Sequence, residues 1–270
     1  MAGAGRARGS RPVSFPGMPL ATSPSLVLHA IAYGDTSKIL RLLTRDHGLQ
    51  SVIAKGARRA KSRTGPRLDL FASGDAAISF KPNRELNTLT AFDVTVPHAG
   101  LAADVERFAA ASAVAELVLR FAPADAHPDL FDATTAALDA LEHAPSDLVG
   151  AVGLLACWGV VVALGFAPAL DRCVACHAPI EGAIAFSGTQ GGALCDRHRR
   201  GVHVSSLAAG DGAALASLVA GRLPDPPLDA RHEAAHRRLL VQFIRTHLAE
   251  HRPLPALAFW ERQAWITTSS

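Results

Sequence analysis

Two pairs of soft ligands stand at matched spacing in this chain: Cys173-x2-Cys176 and, 18 residues further on, Cys195-x2-His198. Each pair suits a tight knuckle that points both side chains at one ion. Two such knuckles supply the four donors that tetrahedral Zn²⁺ takes in closed, structural sites. Gly188, Gly191 and Gly192 lie between the pairs and suit a sharp hairpin that brings the second knuckle back to the first. The fourth ligand is His198 or, with poorer geometry because it adjoins Cys176, His177. Cys157 falls in an apolar run and reads as a small core residue.

A second chemistry is written in cations. Residues 55–67 carry Lys55, Arg58, Arg59, Lys61, Arg63 and Arg67 and no acid. Lys38, Arg41, Lys81 and Arg84 widen the basic surface. Such a stretch binds a phosphate backbone by releasing its counterions. Aromatics for base stacking are few (Tyr33, Phe71, Phe80, Phe92) and most are expected in the core. The predicted contact is therefore with phosphates, weakly sequence-specific and strongly salt-dependent.

A third motif, His232-Glu233-Ala-Ala-His236, matches the H-E-x-x-H of zinc peptidases, with Glu250 or Glu261 as a nominal third ligand. Arg231, Arg237 and Arg238 crowd it. The plainer reading is the polar face of a helix whose apolar side is Leu239, Leu240, Phe243, Ile244 and Leu248. A zinc metallopeptidase is kept as the alternative function. The chain has no G-x-x-x-x-G-K-[ST], no G-x-G-x-x-G after a strand and no G-x-S-x-G, so no other catalytic constellation stands out.

Two kinds of element must position these groups. Short alternating runs at 26–31, 37–43, 50–54, 76–80 and 86–96, separated by turn residues, predict five strands and a small closed barrel of the oligonucleotide-binding (OB) type. From Leu101 the apolar period changes to that of helices, predicted at 101–121, 130–141, 148–164, 206–219 and 229–250, with the cysteine module at 171–203. The fold class is thus α+β. The expected division is an extension at 1–22, a barrel at 23–98, a helical domain at 99–250 and a weakly patterned tail at 251–270. Residues 1–22 carry Arg6, Arg8 and Arg11 without the apolar run of a secretory signal. Met18, just ahead of the patterned sequence, is an alternative start to Met1.

Composition agrees. Of 270 residues 49% are apolar, enough for a sizeable core, and four cysteines are too few for a disulfide scaffold. Residues 1–98 hold 14 Lys and Arg against 6 Asp and Glu, whereas the remainder holds 13 against 18. The positive charge is concentrated in the barrel. Leu148–Leu170 is free of charge and long enough to cross a bilayer, but Gly150, Gly153, Gly159, Gly165 and Pro168 interrupt it. It reads as a buried core helix, and no membrane partner is expected.

In order along the chain, Val27-Leu-His, Tyr33-Gly-Asp-Thr-Ser37, Leu43-Thr-Arg-Asp-His-Gly48, Ala54-Lys-Gly-Ala-Arg-Arg59 and Leu164-Gly-Phe-Ala-Pro-Ala-Leu-Asp-Arg-Cys-Val-Ala-Cys176 resemble the bacterial DNA repair protein family RecO. Phe186-Ser187, Gly191-Gly192 and Cys195 continue the match. The resemblance implies an N-terminal OB fold, a helical domain and an embedded zinc finger. It also implies a cytoplasmic, nucleoid-associated recombination mediator that is not an enzyme. Such a protein binds single- and double-stranded DNA and anneals complementary strands. With RecR it helps load RecA onto DNA coated by single-strand-binding protein, whose acidic tail it contacts. The family's four-cysteine version has a cysteine where this chain has His198, a swap that Zn²⁺ accepts.

Overall fold

The computed structural model describes residues 20–59, 68–81, 86–249 and 252–263. They form two compact units, divided between Pro97 and His98.

The first unit is a closed barrel of five strands: β1 (Leu20–Tyr33), β2 (Ser37–Thr44), β3 (Gly48–Ala54), β4 (Ser73–Ser79) and β5 (Leu86–Val96). Their order around the barrel is β1-β2-β3-β5-β4, with β4 returning to β1 and β3 running parallel to β5. This is the OB topology expected above. The interior is filled by every second residue of β2 (Leu40, Leu42), β3 (Val52, Ala54) and β4 (Ala76, Ile78), and by Leu89 and Phe92 of β5, where a bulge between Leu89 and Ala91 shifts the alternation.

Closure falls to β1, which is longer than its apolar run suggests. Leu20–Leu26 pairs with β4 and Ser25–Tyr33 pairs with β2. A bulge between Val27 and His29 lets the strand turn from one neighbour to the other. Pro24 is tolerated inside β1 because only its carbonyl is needed: it accepts the Arg45 N–H at 2.9 Å. Where β4 and β5 approach most closely, a Cβ on Gly74 would lie 2.1 Å from the Asp93 carbonyl oxygen, so only glycine fits.

The second unit is helical. Leu101 is buried in a single 3₁₀ turn, and α1 (Val105–Phe121) starts afresh behind it, because Asp104 accepts the N–H groups of Glu106 and Arg107. α2 (Pro128–His143) follows with proline in its first turn. α3 (Val149–Ala163) is the central helix, and the Trp158, Leu154 and Val160 side chains are fully enclosed. The segment Ser146–Ala163 is apolar and long enough to cross a membrane, but it is mostly buried inside this unit. A small sheet of β6 (Ile184–Ser187), β7 (Gly192–Leu194) and β8 (Ser205–Leu207) comes next, in the order β7-β6-β8. α4 (Ala209–Val219) begins three residues later than its pattern suggests, because Ser205–Leu207 pairs with β6. α5 (Ala230–His247) follows, capped by Asp229.

The region after Pro253 departs from the expected weak tail. It forms α6 (Pro255–Arg262), which buries Leu257 and Trp260 completely. The Trp260 indole lies against the position of Gly153 on α3 and 4.8 Å from the guanidinium carbon of Arg237 on α5. Arg237 is itself fully buried, 3.7 Å from the Glu106 carboxylate. Burial pulls the Arg237 pKa down and pushes that of Glu106 up, while the two charges oppose both shifts. Replacing Trp260 with alanine should lower stability by about 3–5 kcal/mol, measured by urea unfolding, since it opens a cavity beside a buried charge. An unchanged midpoint would mean that α6 is an appendage.

Candidate functional site

The cysteine module is assembled by backbone hydrogen bonds before any ion is considered. In the first knuckle the Cys173 N–H donates to Ala178 O at 2.8 Å and the His177 N–H to Cys173 O at 2.8 Å. In the second, the N–H groups of His198 and Arg199 both donate to Cys195 O at 3.0 Å. The β6–β7 hairpin joins them. Ser187 lies opposite Gly192, Gly191 turns with φ of +79°, and Cys195 follows directly on β7. The Val174 N–H donates to Ala193 O at 3.0 Å, which ties the first knuckle to that hairpin.

These contacts bring one atom each of Cys173, Cys176, Cys195 and His198 within 4.8 Å of one another. Cys195 Sγ and Cys173 Sγ lie 3.3 and 3.7 Å from His198 Nδ1, and the Cys176 and Cys195 sulfurs are 3.9 Å apart. A tetrahedron with Zn–S of about 2.3 Å and Zn–N of about 2.0 Å has S···S edges of about 3.8 Å and S···N edges of about 3.6 Å. The observed edges fit. Between the two candidate histidines, His198 completes the cluster, through Nδ1; His177 is not a member. Four protein donors leave no position for a substrate, so an ion held here braces the fold.

The electrostatics suit a cation. The backbone N–H of Cys195, followed by those of Ala175 and Cys176, brings the Cys173 thiol down to about 6. The backbone and side chain of His198 lower Cys195. Cys176 is raised: the Ala178 N–H pulls it down, but desolvation and the Cys173 and Cys195 sulfurs prevail. Cys195 and then Cys173 raise His198. A divalent cation relieves this crowding of negative sulfur. Metal retention should therefore hold at pH 7–8 and fall in acid, at a pH below the metal-free Cys173 value of about 6, because the bound ion competes with protons for the thiolates. Metal analysis after dialysis across that range checks it. His198→Cys should keep the ion and His198→Ala should weaken it.

The basic groups lie on the barrel. Lys55, Arg58 and Arg59 are exposed just beyond β3, and between them Ala57 is buried in the barrel core. The Arg58 N–H donates to Thr36 O at 2.8 Å, and its Nη1 donates to Gly34 O at 3.0 Å. The start of the loop is thus fastened to the β1–β2 hairpin. Arg41 sits mid-strand opposite His29 and Ser51. Lys81 is anchored by its backbone N–H to Asn87 Oδ1 at 3.0 Å. Lys38 is engaged within the barrel, donating to Leu68 O at 3.0 Å and lying 3.6 Å from Asp69. Lys61, Arg63, Arg67 and Arg84 lie outside the described residues. Of the aromatics, Phe71 and Phe92 are buried, whereas Tyr33 is 53% exposed.

The two histidines of H-E-x-x-H both face the Asp211 carboxylate, His232 Nε2 at 3.9 Å and His236 Nε2 at 3.7 Å, but the glutamate between them does not join them. His232 Nδ1 is bound to Asp229 at 2.7 Å and is half exposed, while His236 is buried. Glu233 turns inward to the start of α3: a Cβ on Gly150 would meet its carboxylate at 2.1 Å. Desolvation raises its pKa, with Arg237 opposing. Glu261 pairs with Arg245 at 2.9 Å, and Glu250 lies outside the described residues. Among the described residues, the Cys173–His198 cluster is the one group of three or more whose ligand atoms already all lie within 4.8 Å of one another.

Comparison with known proteins agrees with this architecture. Residues 18–97 match the family model for the recombination protein O N terminal, and residues 102–256 that for the recombination protein O C terminal. The chain belongs to the RecO family. Curated relatives named DNA repair protein RecO include one from Anaeromyxobacter dehalogenans, 34% identical over 83% of this chain and 89% of its own length. Another, from Rubrobacter xylanophilus, is 32% identical over 87% of this chain and 94% of its own. A third, from Heliobacterium modesticaldum, is 33% identical over 81% and 82%. The family sets the function as DNA repair. RecO membership also accounts for the two units, since the two family models meet where the barrel gives way to helices.

Proposed function

We propose that this RecO-family chain is a non-enzymatic recombination mediator. It binds single- and double-stranded DNA through the barrel and lets complementary strands anneal. With RecR it loads RecA onto DNA coated by single-strand-binding protein, whose acidic tail it also contacts. One structural Zn²⁺, held by Cys173, Cys176, Cys195 and His198, braces the helical unit. The observation that carries the reading is the cationic rim of an OB barrel: Arg58 and Arg59 stand beside Lys55 on a loop fastened to the β1–β2 hairpin.

Annealing needs no nucleotide and no covalent step. Two strands repel through their phosphates, and a rim that neutralises both lowers that repulsion while leaving the bases to find each other. Lys55, Arg58 and Arg59 are suited to this work, and Arg41 and Lys81 extend it around the barrel. Lys61, Arg63, Arg67 and Arg84 add charge of the same sign in the adjoining segments. Lys38 is left out of the surface because its ammonium is already engaged.

The test is a salt titration. Reversing both charges with Arg58→Glu and Arg59→Glu should weaken binding to an oligonucleotide at least tenfold at low salt and lower the log–log salt slope by about two, roughly one per lost phosphate contact. Unchanged affinity and slope would remove the loop from the interface.

A further inference from the structure

We propose that His232 and His236 of α5 and Asp211 of α4 form a second metal site, which takes a divalent transition-metal ion of the zinc class and links the two helices. The site is separate from the cysteine module and independent of the DNA-binding reading.

His232 and His236 stand four residues apart on α5, so they share one helix face. Asp211, in the first turn of α4, meets that face. Its Oδ1 stands 3.9 Å from His232 Nε2 and 3.7 Å from His236 Nε2. Both separations are too long for a hydrogen bond. They suit an ion held between the donors. With Zn–N and Zn–O of about 2.1 Å, the N···O edge of a tetrahedron is about 3.4 Å. Rotation of Asp211 and the half-exposed His232 can close the remaining gap. The donors of the cysteine cluster already lie within 4.8 Å of one another. This trio is centred on Asp211 instead and is drawn in by its ion.

Two observations distinguish a site from chance proximity. The His236 side chain is 2% exposed, and neither of its ring nitrogens has a hydrogen-bond partner among the described residues. An imidazole enclosed in that way is costly, and an ion on Nε2 supplies the missing partner. His232 is already oriented. Its Nδ1 lies 2.7 Å from Asp229 Oδ1. An ionised carboxylate only accepts, so in the neutral ring Nδ1 carries the proton and Nε2 turns its lone pair towards Asp211. A carboxylate behind the ring is the usual device that fixes the tautomer of a metal-binding histidine.

Three protein donors leave one position of a four-coordinate ion open. Space for it lies in a cavity of about 400 Å³, lined by Asp211, Asp225, Asp229 and His232 and walled by Pro226 and Leu228. Its three aspartates favour entry of a cation. Glu233, which a peptidase would use as its base, faces Gly150 instead. The ion therefore cross-links α4 to α5 and is not set up for hydrolysis.

Cobalt tests this in the full-length chain. Once the cysteine cluster is loaded with Zn²⁺, Co²⁺ should bind at one further equivalent. It should give weak visible absorption without the intense near-ultraviolet bands of cobalt on thiolate. Binding should also raise the melting temperature, because the site exists only in the folded chain. Asp211→Asn and His232→Gln, at partly exposed positions, should each weaken this binding at least about tenfold and remove the rise in melting temperature. Both variants should keep the zinc of the cysteine cluster and the circular dichroism of the unaltered protein. Absence of a further cobalt, cobalt bound with thiolate bands only, or a second cobalt unaffected by both variants would overturn the site.

Discussion

Every strand of a closed barrel has two neighbours, but here β1 meets them with different halves of its length, and the barrel depends on it. Leu20–Leu26 satisfies β4, Ser25–Tyr33 satisfies β2, and the bulge at Val27–His29 makes the change of direction. The same bend fixes which side chains point outward beyond it, because a slip of one residue would exchange the two faces. His29, Ile31 and Tyr33 lie outside for that reason. The hairpin that follows receives Arg58, so the position of the basic loop also derives from the path of β1. Gly74 carries the complementary burden on β4, where the Asp93 carbonyl leaves no room for a side chain.

The helical unit depends on a different constraint, the burial of charge. Arg237 is fully enclosed, and its neighbours answer it from three directions: Glu106 from α1, Glu233 one turn back on α5, and the face of Trp260 from α6. A buried guanidinium without such company is strongly unfavourable. The glycines of α3 make space for these groups, Gly150 beside the Glu233 carboxylate and Gly153 beside the Trp260 ring. What reads as a helix-weakening composition in an apolar segment is thus the clearance that lets polar and aromatic side chains reach the centre of the unit. The cysteine module follows the same logic at smaller scale, with four ligand atoms that could hold an ion in place of a core.

The sequence made the local features legible and hid the distant ones. Strand alternation and the Gly34-Asp35 turn gave the barrel, and the two-residue ligand spacings gave the module. The choice between His177 and His198 needed the β6–β7 register, which places Cys195 and His198 together against Cys173. The first half of β1 was obscured by Pro24, whose missing N–H argues against a strand until its carbonyl is seen accepting from Arg45. α6 was missed because a helix of two turns shows too little period to recognise, and its anchor Trp260 packs against residues about a hundred positions away. Arg237 looked like part of a solvated face, because the carboxylate that answers it, Glu106, belongs to another helix. Four barrel aromatics share one expectation, that most lie in the core; what sets Tyr33 apart is its place in the outward phase of β1, at the edge of the turn.

The double duty of β1 also has a temporal side. The β1–β2–β3 meander is built from neighbours in sequence and can form as soon as those residues are free to move. The edge of β1 from Leu20 to Leu26 must wait for Ser73–Ser79, roughly fifty residues later. Contacts of such separation form slowly because the intervening chain must first be confined. During synthesis, therefore, that edge stays unpaired until β4 has been made, and β5, which pairs with both β3 and β4, closes the barrel last. Barrel closure is a late event in folding, and an unpaired edge of that kind is where a nascent chain is most exposed to pairing with the wrong strand.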